Sequence, residues 1–257
     1  MSNKLTPIKQ AAASAVEAAR AAHAHATEVH PAAAVVVSAT MREYLAEIYR
    51  LQGGPDGATT SALAERLEVS PSAVVRMLRR LDETGLLKHT PYHGVELSPD
   101  GTREALRGIR RHRLLEVFLV KVMGFGWDEV HDEAHGIDAG MSDAFEDRMD
   151  LLCGHPTHCP HGDPIPTRDG QIAPVHDAPL LDASIGQHAQ VSRVKSDEAA
   201  KLRYLAELGL VPGASIEVLG RAPFNGPMRL QVGLGRDARE HVIGSEVAKC
   251  LRIVVPG

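Results

Sequence analysis

The chain has 257 residues, with 28 Lys and Arg against 33 Asp and Glu, a net charge of −5, and 44% hydrophobic but only 4% aromatic residues. That length fits two or three small domains with aliphatic cores. No apolar run is long enough to span a bilayer, since the best candidate, residues 114–126, is short and carries Glu116 and Lys121. Three cysteines (Cys153, Cys159 and Cys250) make no disulfide framework and fit a reducing cytoplasm with thiols free for metal; the N-terminus has no signal-peptide pattern, so a cytoplasmic location is expected.

In chain order, residues 1–38 are an Ala-rich extension with His23, His25 and His30 and no apolar stripe. A helix follows, capped by Ser38 or Thr40, with Leu45, Ile48, Tyr49 and Leu51 on its inner side and Gly53-Gly54-Pro55 at its end. Thr60 or Ser61 caps a second short helix. After a turn at Glu68-Val69, Ser70-Pro71 opens a third, with Val74, Leu78 and Leu81 at helical spacing and Gly85 as its stop. Residues 86–97 read as a β-hairpin turning at His93-Gly94, and Ser98-Pro99 starts a long helix. Helix, helix-turn-helix, hairpin, helix is the order of a winged helix-turn-helix, assigned to residues 39–110.

Residues 111–170 are expected to form a helical unit, to which the residues described below assign metal binding and dimerisation. Within it, residues 114–123 are apolar on nearly every side, which predicts burial all round, with a second copy of the chain covering the extra face. Residues 130–152 make a helix interrupted near Gly136 and Gly140. Residues 171–187, rich in Pro and Asp, read as a linker. Residues 188–257 carry four strand patterns and one helix, 197–208, and predict a small SH3-like β-barrel. The fold expected is therefore mainly α with a small β part.

Charge is unevenly spread. Residues 41–113 hold 12 basic and 10 acidic residues, whereas residues 116–150 hold 2 basic and 10 acidic. In the basic block, the third helix presents Ser70, Ser72, Ala73, Arg76, Arg79 and Arg80, with Lys88 beside the hairpin. The second helix of a helix-turn-helix enters the major groove, and Arg76 is placed to bind guanine O6 and N7. The alternative is a solvated helix face, or a winged helix that contacts protein.

The acidic block holds the metal chemistry. His112 and Glu116 are four apart, while His131, His135 and Asp138 stand at i, i+4 and i+7, each set on one helix face. Imidazole and carboxylate together suit Mn, Fe, Co or Zn rather than Ca. The run from Cys153 through His155, His158, Cys159 and His161 is either a structural zinc knuckle or part of a site shared with His112, Glu116 or His131. An enzyme is the competing class, because His131-Asp132-Glu133-Ala134-His135 is close to a zinc-peptidase helix. The glutamate that such a helix needs at its second position is Asp132 here, so the spacing is wrong.

Taken together, several segments carry a family resemblance: Tyr44-Leu45-Ala46-Glu47-Ile48-Tyr49, Ala64-Glu65-Arg66-Leu67, Gly85-Leu86, and His112-Arg113-Leu114-Leu115-Glu116. To these are added Val130-His131-Asp132-Glu133-Ala134, Met141-Ser142-Asp143, Cys159-Pro160-His161-Gly162-Asp163-Pro164-Ile165-Pro166 and Leu208-Gly209-Leu210-Val211-Pro212-Gly213. The chain resembles the diphtheria-toxin-repressor family of iron- and manganese-dependent repressors over most of residues 40–257. The resemblance implies a homodimer bound to palindromic double-stranded DNA, with repression controlled by metal.

It also implies two metal sites. The primary one falls on Glu43, His135 and Asp138; Ala139 departs from the family, which usually places a histidine ligand there, leaving the place to water or to another side chain such as Met41. The ancillary one falls on His112, Glu116, His131, Cys159 and His161, with a carboxylate from the third domain near Glu198, although Lys201 stands where a neutral ligand is expected. A carboxylate at Glu43 implies Mn(II), with Fe(II) the alternative and Zn(II) or Co(II) as substitutes in vitro. A DNA-binding protein whose metal is purely structural remains the second reading.

Overall fold

A computed structural model describes residues 37–54, 57–90, 94–137 and 141–255. Residues 1–36 of the Ala-rich extension, the hairpin turn at His93, Asp138 and Ala139 lie outside the described residues.

Local chemistry sets the first elements. Helix α1 (Ala39–Gln52) is capped by Ser38, whose hydroxyl accepts from the Met41 N–H at 3.2 Å. Helix α2 (Thr60–Arg66) is capped one residue earlier than the sequence pattern suggests, by Thr59. Helix α3 (Pro71–Glu83) has Ser70 as its cap and Pro71 in its first turn. Strands β1 (Leu87–Thr90) and β2 (Gly94–Leu97) pair antiparallel, and α4 (Pro99–Phe118) follows, capped by Ser98. Val74, Leu78 and Leu81 are fully buried in a core shared with Leu45, Ile48 and Leu63. At about 1.5–3 kcal/mol for each buried side chain, that packing fixes which face of α3 points outward.

A second core lies around the C-terminal half of α4, where Leu114, Leu115, Val117 and Leu119 pack with Val130, Ala134 and Met149. The helix continues as a π-helical turn (Leu119–Met123) that stops at Gly124, whose φ of 78° an L side chain rarely adopts. In the single chain this turn keeps one bare face, the extra face for which a second copy of the chain is expected. Val122 and Met123 are 50% and 58% exposed in the single chain, because only the face toward α5 (Val130–Ile137) and α6 (Asp143–Leu152) has partners. Leu151, Leu152 and Phe145 on α6 are exposed too. Buried Glu146 joins α6 to α4, accepting from Arg110 Nε at 2.8 Å and from Arg111 Nε at 2.9 Å.

The third core belongs to a six-stranded antiparallel sheet in the order β3-β8-β4-β5-β6-β7. Its strands are β3 (Ala178–Pro179), β4 (His188–Val194), β5 (Ser215–Arg221), β6 (Met228–Val232), β7 (Arg239–Ile243) and β8 (Leu251–Val254), with α7 (Ala199–Glu207) and α8 (Ser245–Ala248) between them. The unit is sheet-rich as expected, with β3 and β7 as its two edges. Two strands escape the sequence pattern: β3, which is only two residues long, and β7, whose inner face is reduced to Ile243. The expected linker is partly structural. Leu180 is fully buried in the sheet's core, and the Asp177 side chain is 1% exposed, held by Arg193 and Arg252. Among the described residues no helix is long and apolar enough to cross a membrane.

Candidate metal centre

One turn of α4 places His112 and Glu116 on a single buried face, and α5 lays His131 across it. His112 Nε2 lies 3.2 Å from Glu116 Oε1 and 3.2 Å from His131 Nδ1, and His131 Nδ1 lies 3.4 Å from the same oxygen. The second carboxylate oxygen, Oε2, faces His161 Nδ1 at 3.7 Å, on the loop that follows α6. Two triples of donors result, His112/Glu116/His131 and Glu116/Cys159/His161, each with its ligand atoms within 4.8 Å of one another. Four ligands about 2.1 Å from a tetrahedral ion stand about 3.4 Å from each other. The observed spacing therefore fits a transition-metal ion, and the nitrogen, oxygen and sulfur donor set suits one.

Electrostatics agree with that use. Glu116 is 3% exposed. Burial alone would raise its carboxyl, but hydrogen bonds from His112, His131 and His161 overcome this and hold it well below the usual range. Burial pushes the Cys159 thiol up. Burial also works against charge on His161, but hydrogen bonds with Cys159 and Glu116 outweigh it and raise the imidazole above its ordinary value. An ion entering this pocket displaces protons from the cysteine and the histidine.

The other expected site is open. His135 Nε2 lies 3.0 Å from Glu43 Oε1, with side-chain exposures of 60% and 39%, so α5 and α1 do meet there. Asp138 falls outside the described residues. His131 and His135 thus serve different carboxylates, Glu116 and Glu43, although their rings lie 6.4 Å apart. A zinc-peptidase helix would aim both at one ion. Beside this pair runs a cavity of about 780 Å³ lined by Glu43, Glu47, Arg50, Arg66, His112, His131 and His135, among others.

One expectation is corrected and one alternative falls. Glu198 is not drawn into the cluster, because Lys201, one helical turn away, takes its carboxylate at 2.6 Å and both face solvent. The Cys153–His161 run does not close on itself as a knuckle. Cys153 sits in the apolar core, His155 pairs with Asp150 at 3.1 Å, and His158 bonds to Thr157. Sequence reading missed Trp127, whose carbonyl lies 2.9 Å from His161 Nε2. The one available signal was that the chain's single tryptophan stands four residues before His131.

In the N-terminal unit, Ser70, Ser72, Arg76, Arg79, Arg80 and Lys88 are exposed and Ala73 is half-buried. None of these four cations has a carboxylate partner among the described residues. The Ser70 hydroxyl already accepts from the Ala73 N–H and lies 3.1 Å from the Ser72 hydroxyl, so its first duty is the cap.

Comparison with known proteins covers the same ground. Residues 37–95 match the family described as iron dependent repressor, N-terminal DNA binding domain; residues 98–167 match iron dependent repressor, metal binding and dimerisation domain; residues 178–255 match the FeoA domain. The iron-dependent repressor IdeR of Mycobacterium leprae is 34% identical over 156 residues, 61% of this chain and 63% of that protein, so the match spans just under two thirds of that relative. The HTH-type transcriptional regulator MntR of Lysinibacillus sphaericus is 34% identical over 103 residues, 40% of this chain and 73% of that protein. A solved manganese-dependent transcriptional repressor in complex with manganese is 36% identical with a TM-score of 0.79, covering 84% of this chain and 100% of that one.

Proposed function

The chain belongs to the iron-dependent repressor family, that of the diphtheria toxin repressor, and on that premise we propose that it is a metal-dependent transcriptional repressor of metal homeostasis. It binds palindromic operator DNA as a homodimer. The observation that carries the reading is the five-donor cluster around Glu116, one α-helical turn-and-crossing away from the Glu43–His135 contact. Ligand groups then sit on both the reading unit, through α1, and the helical unit, through α4 and α5.

Without an ion, α1 and α5 are held at that site by one exposed pair, Glu43 and His135. A divalent cation bound by both strengthens the tie between α1 and α5. The two recognition helices of the dimer are then held about 34–36 Å apart, or a multiple of that, to match successive turns of the major groove. An ion at a hundred times its Kd adds about 2.7 kcal/mol to whichever state binds it, and it shifts the balance only through that difference. The exposed apolar residues Val122, Met123, Leu151 and Leu152 supply the dimer contact. Arg76 reads a base and Arg79, Arg80 and Lys88 hold phosphates; Arg76→Ala then costs about 1–3 kcal/mol and relaxes specificity at one position.

Mn(II) is the ion we assign to the Glu43 site, on its oxygen donors, with Fe(II) next and Zn(II) or Co(II) binding in vitro. The site is regulatory and has no catalytic duty. The test is operator binding by fluorescence anisotropy, titrated with Mn(II), Fe(II) and Zn(II). Affinity rises with metal and returns to its starting value on adding a chelator, while circular dichroism stays native. Operator affinity indifferent to all three ions contradicts the proposal, and loss of the fold with the chelator makes the metal structural.

A further inference from the structure

The sheet unit grips the metal loop at a place where it contributes no ligand. The Val194 N–H donates to the His161 carbonyl at 2.9 Å, and Arg193 reaches Asp163 at 2.8 Å. Strand β4 is bulged at Ser192, between Val191 and Arg193, and Gly162 sits against that bulge. With φ at +89°, a Cβ on Gly162 would stand 2.1 Å from the Ser192 carbonyl oxygen, so only glycine allows the approach.

Trp127 closes the other side of the seam. Its indole packs on the hydrophobic core of the sheet unit and lies 5.5 Å from the His161 ring, while its neighbour Asp128 pairs with Arg203 of α7 at 3.2 Å. The Trp127 carbonyl takes the proton on His161 Nε2. That hydrogen bond selects the nitrogen that is left with a lone pair: Nδ1, the atom facing Glu116. A ligating histidine whose other nitrogen is held by a carbonyl is oriented for its ion, and such outer partners change metal affinity by about 10–100-fold. The indole Nε1 is buried with no hydrogen-bond partner among the described residues, so the ring acts here through its shape.

We propose that Trp127 is a positioning residue through which docking of the sheet unit orients His161, so that docking and ion binding at the Glu116 cluster are coupled. The inference rests on the cluster being a metal site. By reciprocity, the ion tightens the seam by the same factor that the seam tightens the ion.

The test uses the full chain with Mn(II) or Zn(II) alone, reading affinity by calorimetry and amide exchange across residues 188–194. In the wild type, metal slows exchange in β4; in His161→Ala it does not. Trp127→Ala lowers metal affinity about tenfold, and Trp127→Phe restores it because the N–H is unused. If Trp127→Ala loses its native circular dichroism, Arg203→Ala carries the test, with weaker metal binding and faster β4 exchange. Equal slowing in His161→Ala, or unchanged affinity in a folded Trp127→Ala or Arg203→Ala, overturns the coupling. No heat of binding in the wild type overturns the metal reading and the coupling with it; binding with β4 exchange unchanged overturns the coupling alone.

Discussion

Two buried carboxylates, Glu116 in the helical unit and Asp177 in the sheet unit, are both held below their usual pKa, yet they are built for different purposes. Asp177 accepts from Arg193 Nε at 2.6 Å, Arg252 Nε at 2.9 Å and the Ser192 hydroxyl at 2.9 Å. Its cations are permanent and have no lone pair to offer an ion. Glu116 is ringed instead by three imidazoles and a thiol, groups that can shed protons and turn lone pairs inward. A buried carboxylate is a lock when guanidinium surrounds it and a metal site when imidazole does.

The largest effect expected from this contrast is on stability. Asp177→Ala leaves two guanidinium groups without their shared partner and costs about 3–5 kcal/mol in urea unfolding, with metal affinity at the Glu116 cluster reduced far less than in Glu116→Ala. Equal losses of metal binding in the two variants would break the distinction. Next comes Glu116→Ala, which removes the oxygen pair joining both donor triples. Metal affinity by calorimetry falls by more than about 100-fold, beyond the range for an outer partner.

Acid separates the two further. Asp177 is depressed from 3.8 to about 2; burial alone would raise it, but Arg193, Arg252 and Ser192 prevail. A lowered folded pKa means the unfolded chain binds the extra proton first. Its stabilisation is therefore complete above pH 3.8 and disappears as pH falls through about 2, a loss of about 2 kcal/mol. Asp177→Asn flattens that slope in unfolding measured between pH 4 and 2. The smallest effect is at the open pair. Glu43→Ala leaves the buried cluster's affinity near wild type, while the metal-induced gain in operator affinity drops about tenfold, or about 1.4 kcal/mol, as read by anisotropy.

What could be read in the sequence follows the range of the interactions. Ser38, Ser70-Pro71 and Ser98-Pro99 announced their helices because a cap acts over three residues. His112 and Glu116 announced a site because four residues make one helical turn. The Cys159–His161 segment was recognised by its residue types, but its meeting with Glu116 depends on how α4, α6 and β4 pack, and no local pattern encodes that. Asp177 and Leu180 were hidden in a Pro- and Asp-rich stretch whose partners, Arg193, Arg252 and the sheet core, lie far along the chain. Glu198 was placed by resemblance alone, and the adjacent Lys201 decides its fate. Trp127 acts on His161 through a backbone carbonyl, which every residue carries and no composition reveals.

The most direct test is anomalous diffraction from crystals of the full chain grown with Mn(II), and again with Zn(II). The account predicts a peak within ligand distance of Glu116, with His112, His131, Cys159 or His161 completing the set, and a second peak between Glu43 and His135. Metal-saturated crystals with density at neither place, while His112 and His131 turn away from Glu116, would contradict it.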